Sequence, residues 1–190
     1  MQAAERAAWL RLILTPGLGP RTARNLLAAF GLPDSVFSAG LPALLRVVPE
    51  ALAHELAQAP GTDIQAAVDA TEKWLEASPD HALLTLADPG YPQALLTTAD
   101  PPAVLFAVGR LELLNRPAVA IVGSRNATQQ GVANAEGFAA ALARAGVTVV
   151  SGLALGIDAA AHRGALAAED DASTIAVVGT GVDVIYPSSH

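Results

Sequence analysis

Three short apolar runs constrain this chain more than any other feature. They are Ala118–Val122, Val147–Val150 and Thr174–Val178, and each runs straight into a glycine-bearing loop. Runs of about four to six apolar residues predict strands buried on both faces. Between them lie two helical stretches. Gln129–Ala145 carries Val132, Ala135, Phe138, Ala139 and Leu142 on one face, and Ile157–Ala168 is the other. Strand starts just under 30 residues apart suit right-handed βαβ crossovers. Two earlier runs, Ala82–Leu86 and Ala103–Val108, read as further strands. The pattern from residue 81 to 190 predicts an α/β domain with a Rossmann-like, doubly wound parallel sheet. The chain ends just after a strand and its loop, with no crossover helix to follow. It therefore reads as a fragment of a larger sheet, or as one whose edge another copy covers.

Residues 1 to about 80 read as helices only. The first helix spans about Ala3–Leu14, with Trp9, Leu10, Ile13 and Leu14 on one face. A second starts near Pro20 and ends at Gly31, which suits a helix C-terminus. Shorter pieces follow near Pro33–Ser38, Pro42–Arg46 and Glu50–Gln58. A longer helix covers about Asp63–Ala77, and Ser78-Pro79-Asp80 breaks the chain. Roughly a fifth of the residues are alanine, which favours helix and close packing.

Composition narrows the function classes. There are no cysteines, so disulfides, thiolate metal sites and cysteine nucleophiles are excluded. No run of about 18 apolar residues occurs, and the N-terminus lacks the apolar core of a signal peptide. The expected location is the cytoplasm. Net charge is −7, against coating nucleic acid by bulk charge. The basic residues are unevenly placed, however. Arg6, Arg11, Arg21 and Arg24 precede Phe30 with only Glu5 to oppose them, and Lys73 is the single lysine. An anion site here must rely on arginine and backbone N–H groups.

In open α/β sheets, ligands bind beyond the carboxyl ends of the strands. Three loops meet there: Gly123-Ser124-Arg125, Ser151-Gly152-Leu153-Ala154-Leu155-Gly156 and Gly179-Thr180-Gly181. Glycine lets backbone approach a ligand, and two of these loops feed helix N-termini that attract anions. Together they predict a phosphate cradle, with Arg125 suited to bidentate contact. Arg125 could instead be a surface residue, or pair with Asp158 or Asp183. Neither G-x-G-x-x-G after a strand nor G-x-x-x-x-G-K-[ST] is present, so no nucleotide cofactor is indicated. Asp158 and His162 stand at i and i+4. With no third ligand or nucleophile near, Asp158 reads as complementing the helix dipole and His162 as packing or bonding to it, and no metal is expected. Ser124 and Ser151 have no placed base and read as hydroxyl donors to phosphate. In the N-terminal region, Gly17-Leu18-Gly19 between two helices, followed by Arg21 and Arg24, has two readings. It is either a helix-hairpin-helix that meets nucleic-acid phosphate, or a plain helix connector.

At the three loops the chain resembles the DprA/Smf family. Ala120-Ile121-Val122-Gly123-Ser124-Arg125 is similar to the family's G-S-R motif. Val149 to Leu166 is similar to its S-G-x-A-x-G-I-D-x-x-A-H-x-x-A-L signature, and Thr174–Asp183 with Tyr186-Pro187 to its third motif. Weaker similarity covers Asp88-Pro89-Gly90-Tyr91-Pro92 with Leu95, and Asp100–Phe106. Thr15–Phe30 resembles the family's helical, SAM-like N-terminal domain. The resemblance implies a small all-helical domain (1–80) followed by the N-terminal part of an extended Rossmann-like DNA-binding domain (81–190). It implies a protein of natural transformation that is not an enzyme. Such proteins bind and protect incoming single-stranded DNA and load the RecA recombinase onto it, usually as a homodimer. By resemblance, Gly123, Ser124, Arg125, Ser151, Gly152, Gly156, Arg163, Gly179, Thr180 and Gly181 would contact DNA phosphate. Gly17, Gly19, Arg21 and Arg24 would be accessory contacts. Departures from the family pattern are Gln130-Gly131, where an aromatic commonly precedes the glycine, and Glu169-Asp170-Asp171, where a short glycine turn is common. The C-terminal half of the family's Rossmann domain is missing. Two other classes remain in view: a nucleotide-processing enzyme of the phosphoribohydrolase-like Rossmann group, whose P-G-G-x-G-T-x-x-E motif is not found, and a nucleotide-sensing module.

Overall fold

A computed structural model describes residues 2–168, 173–182, 184 and 186. The chain divides into two compact units, residues 1–109 and 110–190. The first holds helices α1 (Ala3–Leu14), α2 (Pro20–Phe30), α3 (Pro33–Ser38), α4 (Leu41–Leu44), α5 (Glu50–Ala57) and α6 (Thr62–Ala77). Strand β1 (His81–Thr85), the short α7 (Gln93–Leu96) and β2 (Val104–Val108) complete it. The second unit opens with a 3-10 turn, Leu111–Asn115. It continues through β3 (Ala118–Ala120), α8 (Gln129–Arg144), β4 (Thr148–Ser151), α9 (Ile157–Leu166) and β5 (Thr174–Ala176).

The first unit closes around Trp9, Leu10, Leu12, Leu26, Val36, Leu44 and Leu56, all buried. In α1 the buried set differs from the expected single stripe: Leu12 is buried and Leu14 is exposed. The reason is that α1 packs against α2, α3, α6 and β2, so it buries more than one face. Arg6 on α1 forms a two-pronged ion pair with Glu72 on α6. The loop from α1 to α2 turns at Gly17, whose φ of +78° suits glycine. Leu18 anchors it in the core, and Pro20 takes the first position of α2.

The strands β1 and β2 correct the expectation of one continuous parallel sheet. They pair with each other, antiparallel, from His81↔Val108 to Thr85↔Val104. Leu83, Ala103 and Val104 join the core of the helical unit. A parallel crossover needs a substantial connection, usually a helix, and the segment between them carries only the four-residue α7. That connection is instead fixed by side chains. Asp88 accepts from the Thr85 N–H and hydroxyl at 2.7 and 2.8 Å. Tyr91 is fully buried, and its hydroxyl donates to the Pro102 carbonyl at 2.7 Å.

In the second unit β3, β4 and β5 lie side by side, all parallel. Helices α8 and α9 pack on one sheet face, around Val149, through Ala139, Ala143, Ala161 and Ala165. Small residues bring the two helices close, and Gly164 lies against the backbone at Glu136. Two expectations fail here. Ala135, Ala139 and Ala143 form the buried stripe of α8, whereas Phe138 is exposed, because only small side chains fit between such close helices. Strand β3 is exposed along its length, because α8 and α9 pack chiefly over β4. No described helix is long and apolar enough to cross a membrane.

Candidate functional site

Parallel pairing of three consecutive strands sets the loops after β3, β4 and β5 along one edge. The first loop leaves the sheet at Gly123. Ser124 and Arg125 are exposed, and the Asn126 N–H donates to Ser124 Oγ at 3.1 Å, which turns the chain. Thr128 then caps α8, its Oγ1 accepting from the Gly131 N–H at 3.1 Å. The Gly131 Cα sits so close that a Cβ would lie 3.2 Å from that oxygen.

The second loop holds the first in place. Gly156 has φ +79°, and a Cβ there would lie 2.3 Å from the Ser124 carbonyl oxygen and 2.7 Å from that of Arg125. No side chain fits this approach. The Ile157 N–H donates to the Ser124 carbonyl at 3.2 Å. Asp158, buried in the first turn of α9, accepts from the Gly123 N–H at 3.3 Å and the Gly152 N–H at 3.2 Å. Leu153 lies in the left-handed region at φ 61°, a conformation that costs energy for a residue with a Cβ. Strain of this kind persists only where the surroundings fix it.

Below the loops a second set of bonds ties α9 to the sheet. The Thr174 hydroxyl donates its one proton to the Val149 carbonyl at 2.9 Å. His162 Nδ1, 2.7 Å from the same hydroxyl oxygen, therefore carries a proton and donates it. His162 thus bonds to Thr174, and Asp158 bonds to backbone amides.

The expected site residues of the second unit fall into three groups. Gly123, Ser124, Arg125, Gly152 and Gly156 converge at the first two loops. Arg125 is exposed, and it makes no hydrogen bond or ion pair among the described residues. It is not paired with Asp158, whose oxygens are taken by glycine amides; Asp183 lies outside the described residues. Gly179, Thr180 and Gly181 follow β5 on the same edge, and space is open around Gly179. Ser151 and Arg163 are placed differently. Ser151 is buried and donates its hydroxyl proton to the Ile121 carbonyl at 2.6 Å, which leaves it no proton for an anion. Arg163 lies 3.7 Å from Glu136 in a half-exposed ion pair across α8 and α9.

Gly17, Gly19, Arg21 and Arg24 belong to the other unit. Gly17 and Gly19 have open space around them, and Arg21 is exposed. Arg24 donates to the Ala99 carbonyl and stands 4.0 Å from Asp100. Sequence reasoning did not find the tie that Asp158 makes between two loops. Its partners are amides on loops 6 and 35 positions away in the chain, and amides leave no mark in a sequence beyond the glycines that carry them.

A helical unit followed by a parallel α/β unit with glycine-rich loops along one sheet edge defines the class of protein. The comparisons with known proteins narrow it. The DprA-like N-terminal HHH domain matches residues 3–70, and DNA recombination-mediator protein A matches residues 82–190. The chain belongs to the DNA recombination-mediator protein A family. Protein Smf of Synechocystis is 35% identical over 197 residues, covering 100% of this chain and 48% of that protein. DNA processing protein DprA of Streptococcus pneumoniae is 44% identical over 106 residues, covering 56% of this chain and 36% of that protein. The X-ray structure of the Streptococcus pneumoniae protein superposes over 100% of this chain and 62% of its own, with a TM-score of 0.62 and 28% identity. The chain thus spans about half or less of the length of these curated relatives.

Proposed function

We propose that the α/β unit binds the phosphodiester backbone of single-stranded DNA, and that the protein serves DNA processing in natural transformation. The observation that carries this reading is Arg125. It stands exposed, without a partner among the described residues, on a loop whose backbone is locked by Gly156 and Asp158. The locked backbone fixes where the guanidinium is presented, and its planar fork can meet a phosphate with two hydrogen bonds. Contacts of this kind position a nucleic acid and do not read its sequence. The net charge of −7 argues against binding by bulk charge, so the reading rests on a local site.

The matched family is named for mediating recombination, which supports a role in handing single-stranded DNA to the RecA recombinase. Homodimerisation of the whole protein and action in the cytoplasm complete the proposal. No catalytic step is part of it. Ser151 is committed to the sheet, and Ser124 Oγ accepts from the Asn126 amide.

Competition tests the reading. A labelled single-stranded oligonucleotide should bind with an affinity that falls as salt rises, with a shallow slope set by few phosphate contacts. Unlabelled oligonucleotide should displace it, whereas AMP at equal phosphate concentration should not. Displacement by AMP alone, or release of free base from AMP, would replace this reading with a nucleotide sensor or a nucleotide-processing enzyme.

A further inference from the structure

In glycine-rich α/β folds the helix after the turn commonly takes a ligand phosphate on its N-terminal amides. Here the protein fills that seat with its own backbone: the Ile157 and Ala159 N–H groups of α9 donate to the Ser124 and Ala154 carbonyls at 3.2 and 3.0 Å. Asp158, the second residue of α9, is buried. One carboxylate oxygen takes the Gly123 N–H and the other takes the Gly152 N–H. The surrounding backbone is closed to match. A Cβ on Gly152 would lie 2.9 Å from Asp158 Oδ2, and a Cβ on Gly123 would lie 2.8 Å from Ile157 Cγ1.

We propose that Asp158 is a built-in anion, a positioning residue that fastens the Arg125 loop to the loop after β4 by taking the Gly123 and Gly152 amides that a ligand phosphate would otherwise meet. The inference rests on the DNA reading above and deepens it. With the glycine amides taken by Asp158 and the helix amides by backbone carbonyls, ligand phosphate is met outside them, by Arg125. That arrangement suits a phosphodiester strand lying along the sheet edge. It disfavours a free nucleotide, whose terminal phosphate depends on buried amides. The glycines at 123 and 152 are then needed for two reasons: their amides must reach Asp158, and a side chain at either would push the loops apart.

The test combines three variants with formate, a small carboxylate. Asp158→Ala should lower the melting temperature and weaken oligonucleotide binding about tenfold, since two charge-assisted hydrogen bonds are lost. At constant ionic strength, formate should restore both in this variant and change neither in the wild type. Asp158→Asn keeps the size but turns an N–H group towards one of the glycine amides. It should weaken oligonucleotide binding without rescue by formate. Because Asp158 acts through Arg125, Asp158→Asn should cost nothing further in an Arg125→Ala background. Wild-type affinity in Asp158→Asn, additive losses in the double variant, or no response of a folded Asp158→Ala to formate would each overturn the proposal. If the alanine variant does not fold, the asparagine series decides. If the wild type binds no oligonucleotide, the DNA reading fails, and the formate-dependent melting still reports on Asp158.

Discussion

Gly164 of α9 and Glu136 of α8 are in backbone contact: a Cβ on Gly164 would lie 2.1 Å from the Glu136 carbonyl oxygen. Neither helix can yield without moving the other off the sheet, where Ala139 and Ala143 meet Ala161 and Ala165 around Val149. Gly164→Ala should therefore destabilise the second unit by about 2 kcal/mol or more, as overpacking does, despite alanine's better helix propensity. Gly137→Ala, on the exposed side of α8 with nothing within 4 Å, should stabilise by up to about 1 kcal/mol. Chemical denaturation of the two variants, compared with the parent, checks both signs.

Gly156→Ala should damage the site with a smaller effect on the fold. Its Cβ would meet the carbonyls of Ser124 and Arg125, so the loop carrying Arg125 must move away. Oligonucleotide affinity should fall about tenfold, on the scale of one lost charge-assisted contact. Gly137→Ala should bind as the wild type does. Equal affinity in all three proteins would show that the approach of Gly156 to the Arg125 loop has no bearing on binding.

The Arg6–Glu72 pair gives the first unit a pH-dependent component. Its hydrogen bond and charge hold the Glu72 carboxyl below its ordinary value of 4.5, with burial opposing. A carboxyl depressed in the folded state contributes stability that is present above its unfolded value and lost as the pH falls through its folded value. Both side chains are only 23% exposed, so about 1 kcal/mol is expected at neutral pH. Glu72→Gln should lower stability by that amount near pH 7. The difference from wild type should fade as the pH falls below 4.5. Denaturation curves followed by the fluorescence of Trp9 and Trp74, both in this unit, would show it.

Tyr91 fastens the connection between β1 and β2. Its buried hydroxyl donates to the Pro102 carbonyl, so Tyr91→Phe should cost about 1–2 kcal/mol. Burial also raises the phenol above its ordinary value of 10.0. The folded state therefore holds this proton longer than the unfolded chain does. The stability linked to it is full below pH 10.0 and is lost as the pH rises through the folded value. The alkaline loss should be smaller in Tyr91→Phe, as measured by thermal melts from pH 8 upward.

Most of this architecture could be read from periodicity. The three glycine-terminated runs became parallel strands, and α2, α3, α5 and α6 begin within a residue of where prolines, glycines and apolar spacing put them. What could not be read was pairing and partnership. The runs at β1 and β2 look like any buried strands, and only the lack of a long crossover helix tells against a parallel sheet. Phe138 fits the helical period of α8, but period does not reveal that α9 comes too close to admit an aromatic ring. Ser151 and Arg163 sit within a motif that resembles a phosphate site, yet one hydroxyl turns into the sheet and one guanidinium turns to Glu136. Asp158 was legible as a first-turn acid. Its bonds to Gly123 and Gly152 depend on three separate segments meeting, which spacing along one chain does not express.

The central claim is that Arg125 meets the phosphate of single-stranded DNA. Fluorescence anisotropy of a labelled single-stranded oligonucleotide, at two salt concentrations, compares the wild type with Arg125→Ala most directly. The account predicts binding that weakens with salt, a loss of about tenfold or more in the variant, and a shallower salt slope once one phosphate contact is gone. Equal affinity and equal slope in the two proteins would contradict it and would make Arg125 a bystander on the sheet edge.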